Sequence, residues 1–228
     1  MMASEEKYKQ VIKREMAKLT RDVTLKVFTS LKRQPDGSKV HECIECQNIM
    51  NLLKIYEENS NGKLHIEELS IYDDQEFAKK YDVQRVPTIL FIDNEGREII
   101  RYLANPQGPE VQPFIKALFV FAGAPNYYEA TILQNLNRIP PSTIKVMITN
   151  SCPYCPQVVE IASLFAIASK GKIRTVVIDI LGNTDIGQYY DSAGVPYTII
   201  NEQKTLTGMV GPNEILRALI GGNINIRY

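Results

Sequence analysis

The hydrophobic and polar positions of this chain follow two periods, and these alternate along its length. In the first half, apolar residues that recur every three or four positions predict four helices, at residues 8–20, 43–58, 74–81 and 111–121. Short apolar runs between them predict four strands, at 25–29, 64–71, 88–92 and 98–102. Turn residues at 93–96 join the last two strands into a hairpin.

The same order of elements recurs in the second half. Four more helices are predicted there, at residues 127–136, 153–169, 185–190 and 212–220. Four more strands are predicted between them, at 144–149, 173–180, 197–201 and 205–209. Helices and strands that alternate and end in a hairpin indicate an α/β protein, in which a mixed sheet carries helices on both faces.

An internal repeat relates the two halves. Cys43 and Cys152 are 109 positions apart, and Pro87 and Pro196 are also 109 positions apart. Two motifs kept at one offset are typical of a duplicated domain. We therefore predict two tandem units, at residues 1–122 and 123–228, each with a mixed four- to five-stranded sheet and helices on both faces. Each unit is long enough to bury a core of its own.

The two units differ by an insertion before the first cysteine pair. Val27 corresponds to Val146 at an offset of 119, so the first unit has 10 additional residues at this point. They include the polar segment 33–38, which contains Pro35 and Gly37. These residue types are common in turns, and we predict a surface loop.

Composition limits the partners and the location of the protein. The chain has 228 residues with 26 basic and 26 acidic side chains, so its net charge gives no attraction to nucleic acid or to an anionic membrane. Its longest apolar run, at 114–125, is shorter than the roughly 20 residues that cross a bilayer. The chain also does not begin with the basic-then-apolar order of a secretory signal. We expect a cytoplasmic protein that binds neither nucleic acid nor membrane.

The charges are divided unevenly between the units. Of 52 charged residues, 37 fall in residues 1–122 and 15 in residues 123–228, where the predicted helix is apolar over 158–168. We expect the apolar surface of the second unit to contact the first unit, a second chain or an unfolded client protein.

The four cysteines form two C-x-x-C pairs, at 43/46 and 152/155. In a cytosolic chain, paired cysteines indicate metal binding or redox chemistry. Each pair opens a predicted helix, where free backbone N–H groups and the helix dipole stabilise a thiolate. This position lowers the pKa of a thiol and produces the species that attacks a disulfide.

A Val-Pro dipeptide follows each pair at the start of a predicted strand. Proline in a strand loses a hydrogen bond of the sheet, and X-Pro bonds are the ones that are commonly cis. A cis bend at Pro87 or Pro196 would bring the backbone beside the cysteines and leave edge groups free for an incoming peptide.

These motifs resemble the active site and cis-proline loop of the thioredoxin superfamily. The resembling segments are Cys43-Ile44-Glu45-Cys46 with Arg85-Val86-Pro87-Thr88, and Cys152-Pro153-Tyr154-Cys155 with Gly194-Val195-Pro196-Tyr197. The Cys-Pro-Tyr-Cys form is typical of glutaredoxins. Two such units in one chain resemble the protein disulfide oxidoreductases of archaea and thermophilic bacteria, and the resemblance covers nearly the whole sequence.

The resemblance implies reduction and oxidation of disulfides in other proteins, with isomerisation as a further activity. It also implies a thioredoxin-reductase-like flavoenzyme as partner. No cofactor or metal is expected in the chain itself, and a homo-oligomer stays open. The exchange would use two nucleophiles and two resolving thiols: Cys43 and Cys152, then Cys46 and Cys155. Four residues would border the bound peptide, the two cis-prolines and the valines before them: Pro87, Pro196, Val86 and Val195.

The chain departs from the thioredoxin pattern in its proton acceptor. Thioredoxins usually carry a buried aspartate six residues before the first cysteine, whereas the second unit has Val146 there. In the first unit Glu68 is a candidate, because it lies on the strand at 64–71, which we expect to be central and buried. Burial near Cys46 would raise the pKa of Glu68 and suit a proton relay. The second unit has Val177 at the corresponding position.

The two sites are not expected to be equal. Glu45 places a negative charge between the first two cysteines, whereas Pro153 and Tyr154 carry none. We therefore expect Cys152 to have the lower pKa and its site to be the more oxidising and more active one. His41 would offset the charge of Glu45 if protonated, although the simplest interpretation of His41 is a surface residue.

Other functions stay open at this point. A Cys₄ zinc site usually separates its pairs by about 15–20 residues, whereas 105 residues intervene here. An iron–sulfur cluster shared between two chains would need only one pair. The chain could also relay electrons between a thioredoxin reductase and a peroxidase or another single acceptor. A peptide-binding, chaperone-like module is the remaining alternative.

Overall fold

A computed structural model describes residues 2–221 of the chain, with side chains from residue 7 onward. Four helices lie in its first half: α1 (Met2–Met16), α2 (Ile44–Glu58), α3 (Gln75–Lys80) and α4 (Val111–Phe121). Six strands accompany them: β1 (Val23–Thr29), β2 (Leu31–Arg33), β3 (Lys39–His41), β4 (Leu64–Ser70), β5 (Thr88–Ile92) and β6 (Glu98–Leu103). A 3₁₀ turn at Gly108–Glu110 precedes α4.

The second half repeats this order without the β2–β3 hairpin. Its helices are α5 (Glu129–Asn135), α6 (Cys155–Ala168), α7 (Thr184–Tyr189) and α8 (Pro212–Ile220). Its strands are β7 (Ser142–Ile148), β8 (Ile173–Asp179), β9 (Tyr197–Ile200) and β10 (Lys204–Thr207). The unit boundary after residue 122 stays a prediction, and residues 222–228 of the second predicted unit lie outside the described residues.

One eight-stranded mixed sheet runs through both halves, in the order β10-β9-β7-β8-β6-β5-β1-β4. Each half contributes four strands, and in each the first long strand pairs with one parallel and one antiparallel neighbour. The halves meet where β6 pairs with β8 in parallel, from Ile100 opposite Thr175 to Leu103 opposite Ile178. The predicted α/β class with tandem four-stranded units is confirmed, and the two sheets are fused.

Helices cover both faces of this sheet because alternate strand residues point to opposite sides. Ile89 and Phe91 of β5 belong to the large core shared with α1, α2, α4 and α6, whereas Leu90 packs with α3. The same alternation in β8 places Val177 in the large core and Ile178 beside α7.

Helix α6 fills the centre of the large core. Most of its residues are buried, and it packs against α4 of the first half, α5 and the sheet. A helix that is apolar on all sides requires burial on all sides. The sequence left three partners open for the apolar stretch 158–168: the first unit, a second chain or a client protein. In the structure, this stretch packs against the first unit.

Strand β4 is at the edge of the sheet, where it pairs with β1. The expectation of a central strand for residues 64–71 is therefore wrong. The sequence itself indicates an edge strand, because polar His65 and Glu67 alternate with apolar neighbours. Both side chains are exposed in the structure. A strand buried on both faces would be apolar almost throughout.

The insertion of the first unit is a β-hairpin and not the predicted loop alone. Strands β2 and β3 pair from Leu31 opposite His41 to Arg33 opposite Lys39, and the predicted loop segment supplies the turn. His41 fastens the hairpin to the sheet, because its Nε2 atom lies 2.6 Å from Glu68 Oε1. Its Nδ1 atom lies 2.9 Å from Gln47 Oε1 of α2.

No helix in the described part of the chain is long and apolar enough to cross a membrane.

Phe114 lies on α4, the helix that packs on α6, in the large core that both halves share. It is fully buried, and its ring meets those of Tyr56, Phe91 and Tyr102 edge-on at 5.1–5.7 Å between centroids. Phe114→Ala should lower the free energy of unfolding by about 3–5 kcal/mol and leave one cooperative transition for the whole chain. Denaturant unfolding followed by tyrosine fluorescence and circular dichroism measures both. Gln112→Ala, on the exposed side of α4, should change stability by less than about 0.5 kcal/mol. Separate transitions for the two halves would contradict the shared core.

His41 should make stability depend on pH. Burial alone would lower its pKa, but the hydrogen bonds to Glu68 and Gln47 and the charge of Glu68 outweigh burial and raise the pKa above 6.5. The ion pair between protonated His41 and Glu68 therefore stabilises the fold below pH 6.5. This contribution is lost as the pH rises through the pKa of His41 in the folded state. His41→Gln should cost on the order of 1 kcal/mol at low pH and progressively less at higher pH. His65→Gln changes a histidine whose side chain is 54% exposed and lies 3.7 Å from Asp22 Oδ1, and it should cost less than about 1 kcal/mol. A loss independent of pH at position 41 would refute the ion pair.

Candidate active sites

Both cysteine pairs are disulfides in the structure. Cys43 is bonded to Cys46, and Cys152 is bonded to Cys155, with Cα–Cα distances of 5.3 Å and 5.6 Å. In each pair the second cysteine donates its backbone N–H to the sulfur of the first, at 3.1 Å. These are the contacts of a sulfur at the beginning of a helix, where backbone donors stabilise negative charge.

The first pair lies at the N-terminus of α2, and Cys43 is its N-cap residue. Cys46 is fully buried, whereas Cys43 is partly exposed. Ser30, just after β1, contacts both: its Oγ accepts the Cys43 N–H at 2.7 Å and lies 3.5 Å from Cys46 Sγ. No sequence motif singles out Ser30, because its position beside the pair results from the fold.

The second pair lies at the N-terminus of α6, which begins at Cys155 and not at Pro153 as predicted. Cys152 precedes the helix and is 6% exposed. Tyr154 between the cysteines is 59% exposed and forms the outer surface of the site. The first cysteine of this pair is thus less accessible than Cys43.

The two Val-Pro peptide bonds are cis, and each stands directly before the strand that pairs with β1 or β7. The backbone groups of Val86 and Val195 make no hydrogen bond to any residue that the structure describes. Val86 and Pro87 also line a cleft beside Cys43. Pro196 is buried, and its carbonyl accepts the N–H of Gly208 at 2.9 Å.

The cleft beside Cys43 is built by both halves of the chain. It has a volume of about 570 Å³, and the second half contributes Asn150 and the loop at 179–183. The exposed Leu181 side chain stands in this wall. Desolvation, together with the negative charge of Glu45, raises the pKa of Asp179.

A second groove, of about 700 Å³ and mainly apolar, runs from α1 to Ser151 next to Cys152. It shares four lining residues with the first cleft: Gln107, Asn150, Asp179 and Leu181. The groove that reaches Ser151 and the cleft beside Cys43 are therefore adjacent on the molecule.

Glu68 is not placed as the sequence suggested. It is partly exposed on the edge strand β4, and its Oε1 accepts a hydrogen bond from Thr29 Oγ1 at 2.6 Å besides binding His41. His41 has a side chain only 10% exposed, so its interpretation as a surface residue is wrong. The ring faces Glu68 and Gln47, and no hydrogen bond joins it to Glu45 within the described structure. The proton-relay role of Glu68 stays a prediction.

Glu110 is a buried carboxyl group that the sequence did not reveal. It is 1% exposed, and neither carboxyl oxygen has a hydrogen-bond partner within the described residues. Desolvation, with a smaller effect of the Asp179 charge, raises the pKa of Glu110 to about 8. Its 3₁₀ turn packs on α6, the helix that Cys155 begins. No local pattern distinguishes this glutamate from the exposed ones.

The described residues hold no group of three or more His, Cys, Asp and Glu side chains arranged to bind a metal ion.

Comparison with known proteins agrees with this architecture. Residues 142–221 match the thioredoxin domain family, whereas no curated protein matches the chain. A protein disulfide oxidoreductase from Aeropyrum pernix superposes with a TM-score of 0.78 at 23% identity, over 95% of this chain and 92% of that one. The NTD_N/C domain of the alkylhydroperoxide reductase AhpF from Enterococcus faecalis gives a TM-score of 0.77 at 21% identity, over 94% and 98%. At these identities the likeness shows the fold.

One explanation accounts for the 109-residue repeat, the fused four-stranded sheets and the cysteine pairs at the start of α2 and α6: the chain has a tandem thioredoxin fold, of which residues 142–221 match the thioredoxin domain family.

Proposed function

We propose that this chain is a protein thiol–disulfide oxidoreductase with two active sites. The observation that carries the proposal is the cysteine pair at the N-terminus of α2 and again of α6, each in a thioredoxin-like unit with a cis Val-Pro bond. Substrates would be dithiols and disulfides of other proteins. The likeness to the Aeropyrum protein disulfide oxidoreductase supports this proposal.

Each catalytic cycle would pass through a mixed disulfide. The thiolate of Cys43 or Cys152 attacks a substrate disulfide, and one substrate sulfur leaves as a thiolate. The thiolate of Cys46 or Cys155 then attacks the mixed disulfide, which releases the second substrate sulfur. Two electrons pass from the protein dithiol to the substrate. A site that is held oxidised runs the same steps in reverse.

The substrate backbone would bind beside the cis-prolines. Val86 and Val195 have backbone groups that are free within the described structure and can pair with an extended peptide. At the first site the peptide would lie in the cleft between Pro87 and Leu181, so the second half of the chain would contribute to binding there.

The activity and its division between the sites can be measured with single-pair variants. Cys43→Ser/Cys46→Ser keeps the second pair, and Cys152→Ser/Cys155→Ser keeps the first. Both should reduce insulin disulfides, and we expect the variant with the second pair to be faster because Glu45 opposes the Cys43 thiolate. Titration of the thiols in Cys46→Ser and Cys155→Ser compares the two nucleophiles directly.

A variant that lacks all four cysteines is the control and should have no activity. Client binding that survives in this variant, without any exchange by the wild type, would favour the chaperone-like alternative. A lower pKa at Cys43 than at Cys152 would overturn the expected ranking of the sites.

The buried carboxyl group of Glu110 should reduce stability at high pH. A buried carboxyl with a pKa of about 8 binds a proton in the folded state that the unfolded chain has lost above pH 4.5. Stability therefore falls as the pH rises from 4.5 to about 8. Glu110→Gln should remove this fall and make the protein more stable than wild type at pH 8, by an amount on the order of 3 kcal/mol. A stability difference that does not change with pH would contradict the raised pKa.

An electron relay is the second candidate function. The groove that reaches Ser151 shares four lining residues with the cleft beside Cys43, and this overlap favours transfer between the pairs. The structural likeness to an AhpF domain is consistent with a peroxidase or another single acceptor as the final partner. In either function, a thioredoxin-reductase-like flavoenzyme would supply the electrons. Loss of insulin reduction in both single-pair variants, with the wild type active, would favour the relay.

A further inference from the structure

Ser30 contacts both cysteines of the first pair from one position. It lies just after β1 and is 3% exposed. Its Oγ accepts the backbone N–H of Cys43 at 2.7 Å, which leaves its hydroxyl hydrogen for another acceptor. That acceptor is Cys46 Sγ, which lies 3.5 Å from Ser30 Oγ and 3.4 Å from Ser30 N. The buried sulfur of Cys46 thus has two donors directed at it.

These donors matter more after reduction. A disulfide sulfur is a weak acceptor, whereas a thiolate is a charged acceptor whose hydrogen bonds are short and about twice as strong. Cys46 is fully buried, and burial without donors raises the pKa of a thiol. Two hydrogen bonds to the charged form oppose that effect.

The second pair has a different arrangement. Thr149 occupies the position that corresponds to Ser30, and Cys152 N–H is bound by its backbone carbonyl at 3.1 Å. The Thr149 hydroxyl contacts Ser151 Oγ at 3.4 Å and neither cysteine. Within the described residues, no N–H or O–H group is hydrogen-bonded to Cys155 Sγ. The threonine therefore provides a matched control for the serine.

We propose that the Ser30 hydroxyl is a catalytic group of the first site that stabilises the Cys46 thiolate. The step it accelerates is resolution: the Cys46 thiolate attacks Cys43 Sγ in the mixed disulfide, the Cys43–Cys46 bond forms, and the bond from Cys43 to the substrate sulfur breaks. The substrate sulfur leaves with the electron pair and takes a proton from water. The proposal rests on the thiol–disulfide exchange proposed above.

The first test does not require catalysis. In the variant Cys43→Ser/Cys152→Ser/Cys155→Ser, Cys46 is the only thiol, and its ultraviolet thiolate absorbance is titrated. Replacing Ser30 with Ala in this variant should lower the thiolate fraction at neutral pH about tenfold, as expected for loss of one hydrogen bond to a charge. An unchanged titration in Ser30→Ala would overturn the proposal.

The second test follows the resolution step. In Cys152→Ser/Cys155→Ser, decay of a mixed disulfide at Cys43 is measured against pH with and without Ser30→Ala. The substitution should slow the decay about tenfold at neutral pH, and the difference should vanish at high pH, where Cys46 is deprotonated in both proteins. A purely structural role would slow the decay equally at every pH.

Thr149→Val in the protein that keeps only the second pair should leave the decay profile unchanged. An equal effect of both substitutions would refute a specific role for the serine hydroxyl. Absence of exchange by the unsubstituted first pair would refute the function proposed for that pair, and the titration of Cys46 would still decide on Ser30.

Discussion

The parallel pairing of β6 with β8 is the contact on which the rest of the molecule depends. It joins two four-stranded sheets into one sheet of eight strands and brings α4 of the first half against α6 of the second. An apolar helix such as α6 would not be sufficiently buried against a single four-stranded sheet, because too much of its surface would remain exposed to water. The fusion buries most of its residues, and Gln157 remains exposed.

The same fusion shapes the chemistry. The cleft beside Cys43 has one wall from each half, and the groove that reaches Ser151 shares part of that wall. Glu110 is buried in a 3₁₀ turn of the first half that packs on α6 of the second, where burial keeps it protonated at neutral pH. One unit thus supplies groups to the site of the other, so the two sites are chemically distinct despite their common origin.

Much of the fold could be predicted from local sequence, because each element carries its own signal. The apolar period at 111–121 and the strand at 88–92 agree with the observed elements in both bounds. The differences concern neighbours in space: β4 lies at the edge of the sheet and not at its centre, and the insertion is a hairpin held by His41 and Glu68. Strand order and a histidine's partner depend on chain segments far away, which no local pattern reports.

The sequence by itself determined the duplication, the two cysteine pairs and the helices that they open, because these features lie within short segments at one fixed offset. Tertiary structure alone decided what surrounds the sulfurs: the two donors of Ser30 at Cys46, and the burial of Cys46, Cys152 and Cys155. The physical reason is that thiolate stability and proton transfer depend on hydrogen-bond donors and burial. Packing sets both through residues that are distant in the chain.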